Sequence, residues 1–497
     1  NGRRFIGFGG NWGFGESNLN YREREYDIAV AYHADMNFTM IRNWVGQIGD
    51  KEFYEACDRH GIMVWQDFWL ANPVDGPNPY YTEMFNANAC DYLKRIRNHP
   101  SIGIYVGRNE GNPPAGIDDY LRGLVFREHP GLYYISNSAM GVVSGGGPYR
   151  ALSPKSYFQS YGHDKFHSER GMPNVMNYES MLLTFGTDKI EPVNTSETPN
   201  PVYGLHDYTL GGGKGSSAQA ASSFNDMIEK AFGRPRDAKQ FAEWAQWINY
   251  DGYRAIFEGR SEHRRGMLLW MSHSAWPSMV WQTYDYYFDP NAAYFGCKKA
   301  SEPLHIQWNP LRDDIEVVNY HAFDRTGLTA TASLFNQDGT LQWTRETKLD
   351  IKEDQTVACF PLEQPETLSD TYFIKLSLTD SDGKQLSDNF YWRGKEDGNY
   401  KSLLQLPKVS VCKNVTVKKT GKEWLIRAVL KNEARTPALM LRLKVAGEKS
   451  GRMLLPVFYS DNYFSLLPGE VKEVDIRLYD ADTYGEKPVL EVLGFNL

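Results

Sequence analysis

Two glutamates carry the residue chemistry that stands out in this chain. Glu110 ends the stretch Gly107-Arg108-Asn109-Glu110, directly after the apolar run Ser101–Val106. Glu169 lies in His167-Ser168-Glu169-Arg170-Gly171-Met172-Pro173. A pair of carboxyl groups facing one another can break a glycosidic bond. One gives a proton to the leaving oxygen, and the other works from the opposite side of the sugar. The acid must hold its proton near neutral pH, which burial or a neighbouring negative charge can arrange. Glu110 suits that task, because an apolar strand delivers it and its partner is another carboxylate. The competing reading of each glutamate is structural: an ion pair for Glu110, and a surface pair with Arg170 for Glu169.

The elements that must position these groups follow from the pattern over residues 1 to 310. Short apolar runs alternate with amphipathic segments, the signature of a (β/α)8 barrel with its chemistry at the C-terminal tips of the strands. Strands are expected at Phe5–Trp12, Phe38–Trp44, Ile62–Trp69, Ser101–Val106, Leu132–Asn137, Ser156–Tyr161, Asp164–Glu169 and Gly266–Ser272. Helices are expected over Tyr21–Ala34, Lys51–His60 with a cap at Gly61, Met84–Arg97, and within Phe224–Phe257.

Other polar and aromatic residues fall at the same strand tips. Arg42 ends the second strand and Asp67 the third, where they could pair with each other or with substrate hydroxyls. Asn109 is placed to bond the sugar hydroxyl beside the reacting carbon. Trp12 and Trp270 are candidates for stacking on a sugar face. Tyr161, at the end of the expected sixth strand, completes the sugar-contacting set.

After Pro310 the pattern becomes strand-rich, with hairpin signals at Asp338-Gly339 and Asp382-Gly383. The expected organisation is a barrel over 1–310 and two immunoglobulin-like β-sandwiches over 311–396 and 397–497. The polar stretch Lys395–Tyr400 reads as the linker.

Composition narrows the function class. The 497 residues carry a net charge of −8 with no long block of one sign, which excludes the basic stripe that nucleic acid requires. Aromatic residues reach 14%, including 13 Trp and 31 Tyr, and flat rings with polar edges match the C–H faces of sugars. Large β-rich cores use the same residues. Five scattered cysteines have no metal-ligand spacing. His163 and His167 lack further ligands for a metal, and Leu210–Ser217 reads as a glycine-rich loop rather than a phosphate cradle. No signal peptide or membrane span is legible. Neither a metal nor another cofactor is expected.

Several stretches, taken together, resemble the catalytic barrel of the family 2 glycoside hydrolases. They are Gly9-Gly10-Asn11-Trp12, His33–Phe38, Met40-Ile41-Arg42, Val64–Trp69, Arg97–Ser101 and Asn109-Glu110. Tyr459–Phe464 and Leu467–Glu470 resemble the C-terminal sandwich of the β-mannosidase, endo-β-mannosidase and exo-β-glucosaminidase branch. The resemblance implies a retaining, metal-independent mechanism, with Glu110 as acid/base and Glu169 as nucleophile. Retention requires carboxyl groups about 5–5.5 Å apart.

Members of the family usually carry two β-domains before the barrel, so the resemblance implies the C-terminal part of a longer protein. Arg108 departs from the Gly-Gly-Asn-Glu of the endo-β-mannosidases and is expected to alter which sugar is accepted. The leading expectation is an exo-β-mannosidase acting on an oligosaccharide or glycan, in a periplasmic or secreted setting. Exo-β-glucosaminidase is the nearest alternative, with Glu16 or Asp67 facing the substrate ammonium. A non-catalytic carbohydrate-binding protein on a decayed barrel is the alternative of another class.

Overall fold

The computed structural model describes residues 2–160, 165–210, 221–260 and 265–497. Tyr161, His163 and most of the glycine-rich segment, 211–217, lie outside the described residues.

Eight parallel strands form the first sheet: β1 Gly7–Trp12, β2 Met40–Asn43, β3 Met63–Asp67, β4 Ile102–Arg108, β5 Tyr133–Asn137, β6 Val143–Ser144, β7 Phe166–Arg170 and β8 Gly266–Leu269. Their order is β5-β4-β3-β2-β1-β8-β7-β6, the sequence of a ring cut between β5 and β6. Ser168 spans the cut by donating its hydroxyl to the carbonyls of Ser138 and Ser144. Inside the ring, Met40, Trp65, Val106, Val143 and Leu268 fill a small apolar plug. Such a lumen is packed core, so chemistry is left to the strand tips above it.

The helices form the outer layer: α1 Glu23–Asp35, α2 Lys51–His60, α3 Thr82–Ile96, α4 Ala115–Glu128, α5 Pro154–Gln159, α6 Tyr178–Phe185, α7 Pro201–Gly204, α8 Ser222–Phe232, α9 Ala238–Glu258 and α10 Ala292–Ala300. Gly61 closes α2 in the left-handed conformation, φ 69°. The sixth strand differs from expectation. Residues 154–159 are the helix α5, and the strand is the two-residue β6 upstream. Ser153 accepts the Ser156 N–H and Pro154 holds the first helical position, a start signal that outweighs the short aromatic run after it.

Two antiparallel sandwiches follow. The first pairs a sheet β13-β10-β9 (Gln355–Pro361, Asp314–Asn319, Leu304–Asn309) with a sheet β12-β11-β14-β15 (Leu341–Ile351, Arg325–Asn336, Thr371–Thr379, Gln385–Gly394). Its first strand, β9, lies ahead of residue 311, where the sequence pattern changes. The second pairs β16-β17-β21-β19 (Val411–Thr420, Glu423–Asn432, Val471–Tyr479, Val457–Tyr459) with β20-β18-β22 (Phe464–Leu466, Ala438–Gly447, Pro488–Leu493).

The first sandwich has its own apolar core around Leu334, Ile374 and Leu376. The second does not: Ile426, Leu441 and Val457 join one continuous core with Tyr32, Trp247 and Phe295 of the barrel. A cavity of about 190 Å³ lies where the barrel and both sandwiches meet, away from the barrel mouth. Its charges pair internally, Lys299 with Asp388 and Lys472 with Asp461, each at 2.6 Å, and Lys375 with Glu470. No described helix is long and apolar enough to cross a membrane.

Candidate active site

Arg42 is the hub of the barrel mouth. Met40 lies in the lumen plug, so period-2 alternation also turns Arg42 inward. Its guanidinium donates from Nε to Asp67 Oδ2 at 2.9 Å, from Nη1 to Glu169 Oε1 at 2.6 Å and from Nη2 to Asn109 Oδ1 at 2.7 Å. Burial works against its charge, yet Asp67 and Glu169 together hold its pKa above the usual value. Three acceptors from three strands are thereby fixed around one rigid fork.

Asp67 and Arg42 are wholly buried. Asp67 spends its second oxygen on the Trp65 indole N–H, 2.7 Å away. These two residues therefore hold the site rather than touch a sugar, which corrects the substrate-binding role expected of both. Burial raises the Asp67 pKa, and Arg42 pulls it back.

Glu169 reaches this hub through a change of register. Phe166 packs against the lumen plug, so strict alternation would aim Glu169 outward. Against β8, however, β7 carries one extra residue between His167 and Arg170. This bulge reverses the facing of the strand end. Glu169 turns in, while Arg170 turns out to Ser160 Oγ at 2.7 Å and does not pair with it. The second Glu169 oxygen accepts the Tyr149 hydroxyl at 2.7 Å. Each Glu169 oxygen thus accepts from its own strong donor. Burial and the adjacent Glu169 charge keep the Tyr149 phenol protonated, far above its usual range.

Glu110 sits just past β4 with φ 46°, a left-handed backbone that costs a non-glycine residue about 1–3 kcal/mol. Its N–H donates to Ser138 Oγ at 3.0 Å, which pins the turn. Burial first, and then the charge of Glu169, raises the Glu110 pKa; Arg42 and the Asn72 amide offset part of the rise. The mutual repulsion means that both carboxyls share one mouth.

Asn109 Oδ1 accepts from both Arg42 and Ser138. Because the guanidinium can only donate, the amide oxygen must face it, and the Asn109 Nδ2 donor is left for a ligand.

A model of the exo-β-D-glucosaminidase Ig-fold domain matches residues 389–497. Along its whole length the chain is 27% identical to a mannosylglycoprotein endo-β-mannosidase of Lilium longiflorum, of which it spans 63%. It is 28% identical to an exo-β-D-glucosaminidase of Streptomyces avermitilis, again over the whole chain and 59% of that protein. The fold matches an exo-chitosanase of Amycolatopsis orientalis with a TM-score of 0.88, at 24% identity, over all of this chain and 63% of the other. The chain is a homologue of the family 2 glycoside hydrolases. It spans less than two thirds of the length of these relatives.

At the barrel mouth the two tryptophans part company. Trp270 follows β8, two residues beyond Leu268 of the lumen plug, and so faces the mouth. Its ring meets Trp44 edge-on at 4.8 Å and Tyr149 at 6.5 Å. Trp12 instead shares the outer face of β1 with Phe8. It is 0% exposed, stacks on His273 at 4.3 Å and donates its N–H to His33 Nε2 at 3.1 Å. It cannot stack on a sugar, contrary to expectation. Burial lowers the pKa of His33 to about 3 and of His273 to about 4, so both rings are neutral partners in this core.

Glu16, proposed from sequence to face an ammonium, accepts instead from the Asn18 and Asn20 N–H groups, closing its own loop. Arg108 donates into the loop after β3, to the Ala71 and Gly76 carbonyls and to Asn78 Oδ1. Sequence reasoning missed Tyr149, Ser138 and Asn72. The run Gly145-Gly146-Gly147-Pro148 before Tyr149 marked a tight turn, and nothing in it pointed to Glu169. Among the described residues, no group of His, Cys, Asp or Glu side chains is placed to hold a metal ion.

Proposed function

We propose that this chain supplies the catalytic barrel of a retaining β-glycosidase that removes a terminal β-mannosyl residue. The observation that carries the reading is the unequal treatment of two carboxyls at one mouth. Glu169 has both oxygens held by donors, whereas Glu110 has its proton affinity raised by burial and by Glu169. A carboxyl that keeps its proton beside one fixed by two donors divides the work between acid and nucleophile.

In this reaction Glu110 gives its proton to the glycosidic oxygen as the bond to the anomeric carbon breaks. Glu169 attacks that carbon and forms a glycosyl ester. The leaving group departs, and the Glu110 carboxylate takes a proton from water as the water displaces Glu169. Asn109 Nδ2 donates to the hydroxyl next to the reacting carbon, and Trp270 lies along the ring face.

Likeness to an endo-β-mannosidase supports the mannoside. Likeness to exo-β-D-glucosaminidases supports an amino sugar as the second reading. Against that reading, both carboxylates put forward for an ammonium, Glu16 and Asp67, are already engaged.

The test uses the full-length protein on 4-nitrophenyl β-D-mannoside and β-D-glucosaminide. Mannoside cleavage is expected to dominate, and Glu110→Gln or Glu169→Gln to lower kcat at least about 100-fold. A protein that cleaves neither substrate yet binds mannooligosaccharides would be a carbohydrate-binding module, and the catalytic reading would fall.

A further inference from the structure

Arg108 is buried, and among the described residues no carboxylate pairs with it. Its fork reaches across to the loop after β3, donating to Ala71 O at 2.7 Å, Asn78 Oδ1 at 2.6 Å and Gly76 O at 3.2 Å. The same loop is bound at its start, where Asn109 N–H donates to Leu70 O at 2.9 Å. Pro73 packs so closely on Gly111 that a Cβ there would lie 2.8 Å from its ring. Asn72 and Asp75 close a turn of their own, with the Asn72 side chain donating at 2.7 Å. The Asn72 amide also bears on the Glu110 carboxyl. Residues 70–78 thus wrap the segment that carries the acid, and Arg108 is the clasp.

Directly beyond the clasp the chain exposes large apolar groups. Val74 is 93%, Tyr80 90% and Tyr81 71% exposed. They precede or open α3, at the end of the barrel where the carboxyls sit. A group that protonates the leaving oxygen faces the leaving group, so a loop wrapped around that acid borders the leaving-group side. Tyrosine offers a flat face for a sugar C–H surface and a hydroxyl for its edge.

We propose that the Arg108-clasped segment 71–81 is a leaving-group subsite, in which Tyr80 and Tyr81 take a further sugar of an oligosaccharide. Arg108 is its positioning residue and does not select the sugar being cleaved. The occupant is the saccharide beyond the scissile bond. This rests on the assignment of Glu110 as the acid.

The experiment compares kcat/KM on β-1,4-mannotetraose with that on 4-nitrophenyl β-D-mannoside, in the full-length protein. Loss of one stacked face is worth roughly 3- to 10-fold. Tyr80→Ala and Tyr81→Ala should lower the ratio of tetraose to aryl mannoside by about that factor, chiefly by raising KM for the tetraose. Arg108→Met should lower the ratio too. It should also move the basic limb of the pH profile upward, because the Asn72 amide no longer holds down the Glu110 pKa.

An unchanged ratio in both tyrosine variants overturns the subsite while leaving the glycosidase reading intact. Equal losses on the two substrates, with no movement of the pH limb, overturn it as well, since that is the mark of a merely structural loop. If the unmutated protein cleaves neither mannoside, the functional reading fails first and the subsite falls with it.

Discussion

Replacing Arg42 by lysine tests whether the hub positions Glu169 or binds the sugar. The guanidinium makes charge-assisted bonds to Asp67, Glu169 and Asn109 at 2.9, 2.6 and 2.7 Å. Lysine keeps the positive charge, so the buried Asp67 is not left without a counter-ion. An ammonium cannot span three acceptors set around a planar fork, and two of the bonds are lost. Each bond to a charged group is worth about 1.5–3 kcal/mol. The bond to Asp67 is paid in stability, and the bond to Glu169 in alignment for attack. At 1.36 kcal/mol per decade, the latter lowers kcat by about 10- to 150-fold. Initial rates on 4-nitrophenyl β-D-mannoside should show that fall in kcat with KM nearly constant, because neither Arg42 nor Asp67 is exposed to a sugar. Asp67→Asn should act on kcat through the same fork, so a double-mutant cycle should give a coupling of about 0.5–3 kcal/mol. A rise in KM at unchanged kcat would mean that Arg42 holds substrate, and simple additivity would mean that Asp67 does not work through it.

The two tryptophans should behave oppositely. Trp12→Ala empties a fully buried site and should cost about 3–5 kcal/mol, read as a fall in thermal midpoint, whereas Trp270→Ala should raise KM with little loss of stability. A KM effect from Trp12 would contradict its burial. Acid should also loosen the second sandwich. Burial opposes the Glu179 charge, but Arg442 at 2.8 Å lowers the pKa from 4.5 to about 2. A depressed carboxylate adds stability above its unfolded pKa and loses it as pH falls through the folded one. Roughly 3 kcal/mol should therefore vanish between pH 4.5 and about 2. Arg442→Met should abolish this step in urea denaturation series across that range; an unchanged step would assign it elsewhere.

Strand tips and helix faces were legible because hydrophobic period and punctuation act locally. The barrel, the strand-rich C-terminal half and the strand ends that carry Glu110 and Glu169 all follow from that. What escaped depends on facing and on distant partners. Alternation puts Trp12 on the same face of β1 as Phe8, but that this face is the outer one, against His33 and His273, follows only from the packing. For Glu169 the same rule gives the wrong side, because the bulge in β7 that reverses it exists only relative to β8. The sixth strand differs because the Ser153-Pro154 helix start overrides the short aromatic run behind it. Tyr149 and Asn72 lie in loops whose sequences say "turn" and nothing about which carboxyl the turn approaches.

The three sides of the mouth rest on different supports. Glu169 is held from within the barrel, by Arg42 and Asp67. Glu110 is held from the loop after β3, through Arg108, and from the end of β5, through Ser138. The segment after β8, which carries Trp270 and Trp281 past Tyr149, runs on to Asp289, and there the second sandwich takes over. Asn177 donates to Asp289 Oδ2 at 2.8 Å and accepts the Tyr463 hydroxyl at 2.7 Å, while Arg442 reaches the same carboxylate at 3.3 Å. Tyr32 of α1 adds a second tie, exchanging hydrogen bonds with the backbone of Val457 at 3.0 and 3.1 Å. With the apolar core continuous across this boundary, the sandwich is part of the wall behind the aromatic side of the site. A barrel cut free of it would expose the core around Phe295 and release Asp289, so the fold that holds Trp270 in place is the barrel and the C-terminal sandwich together.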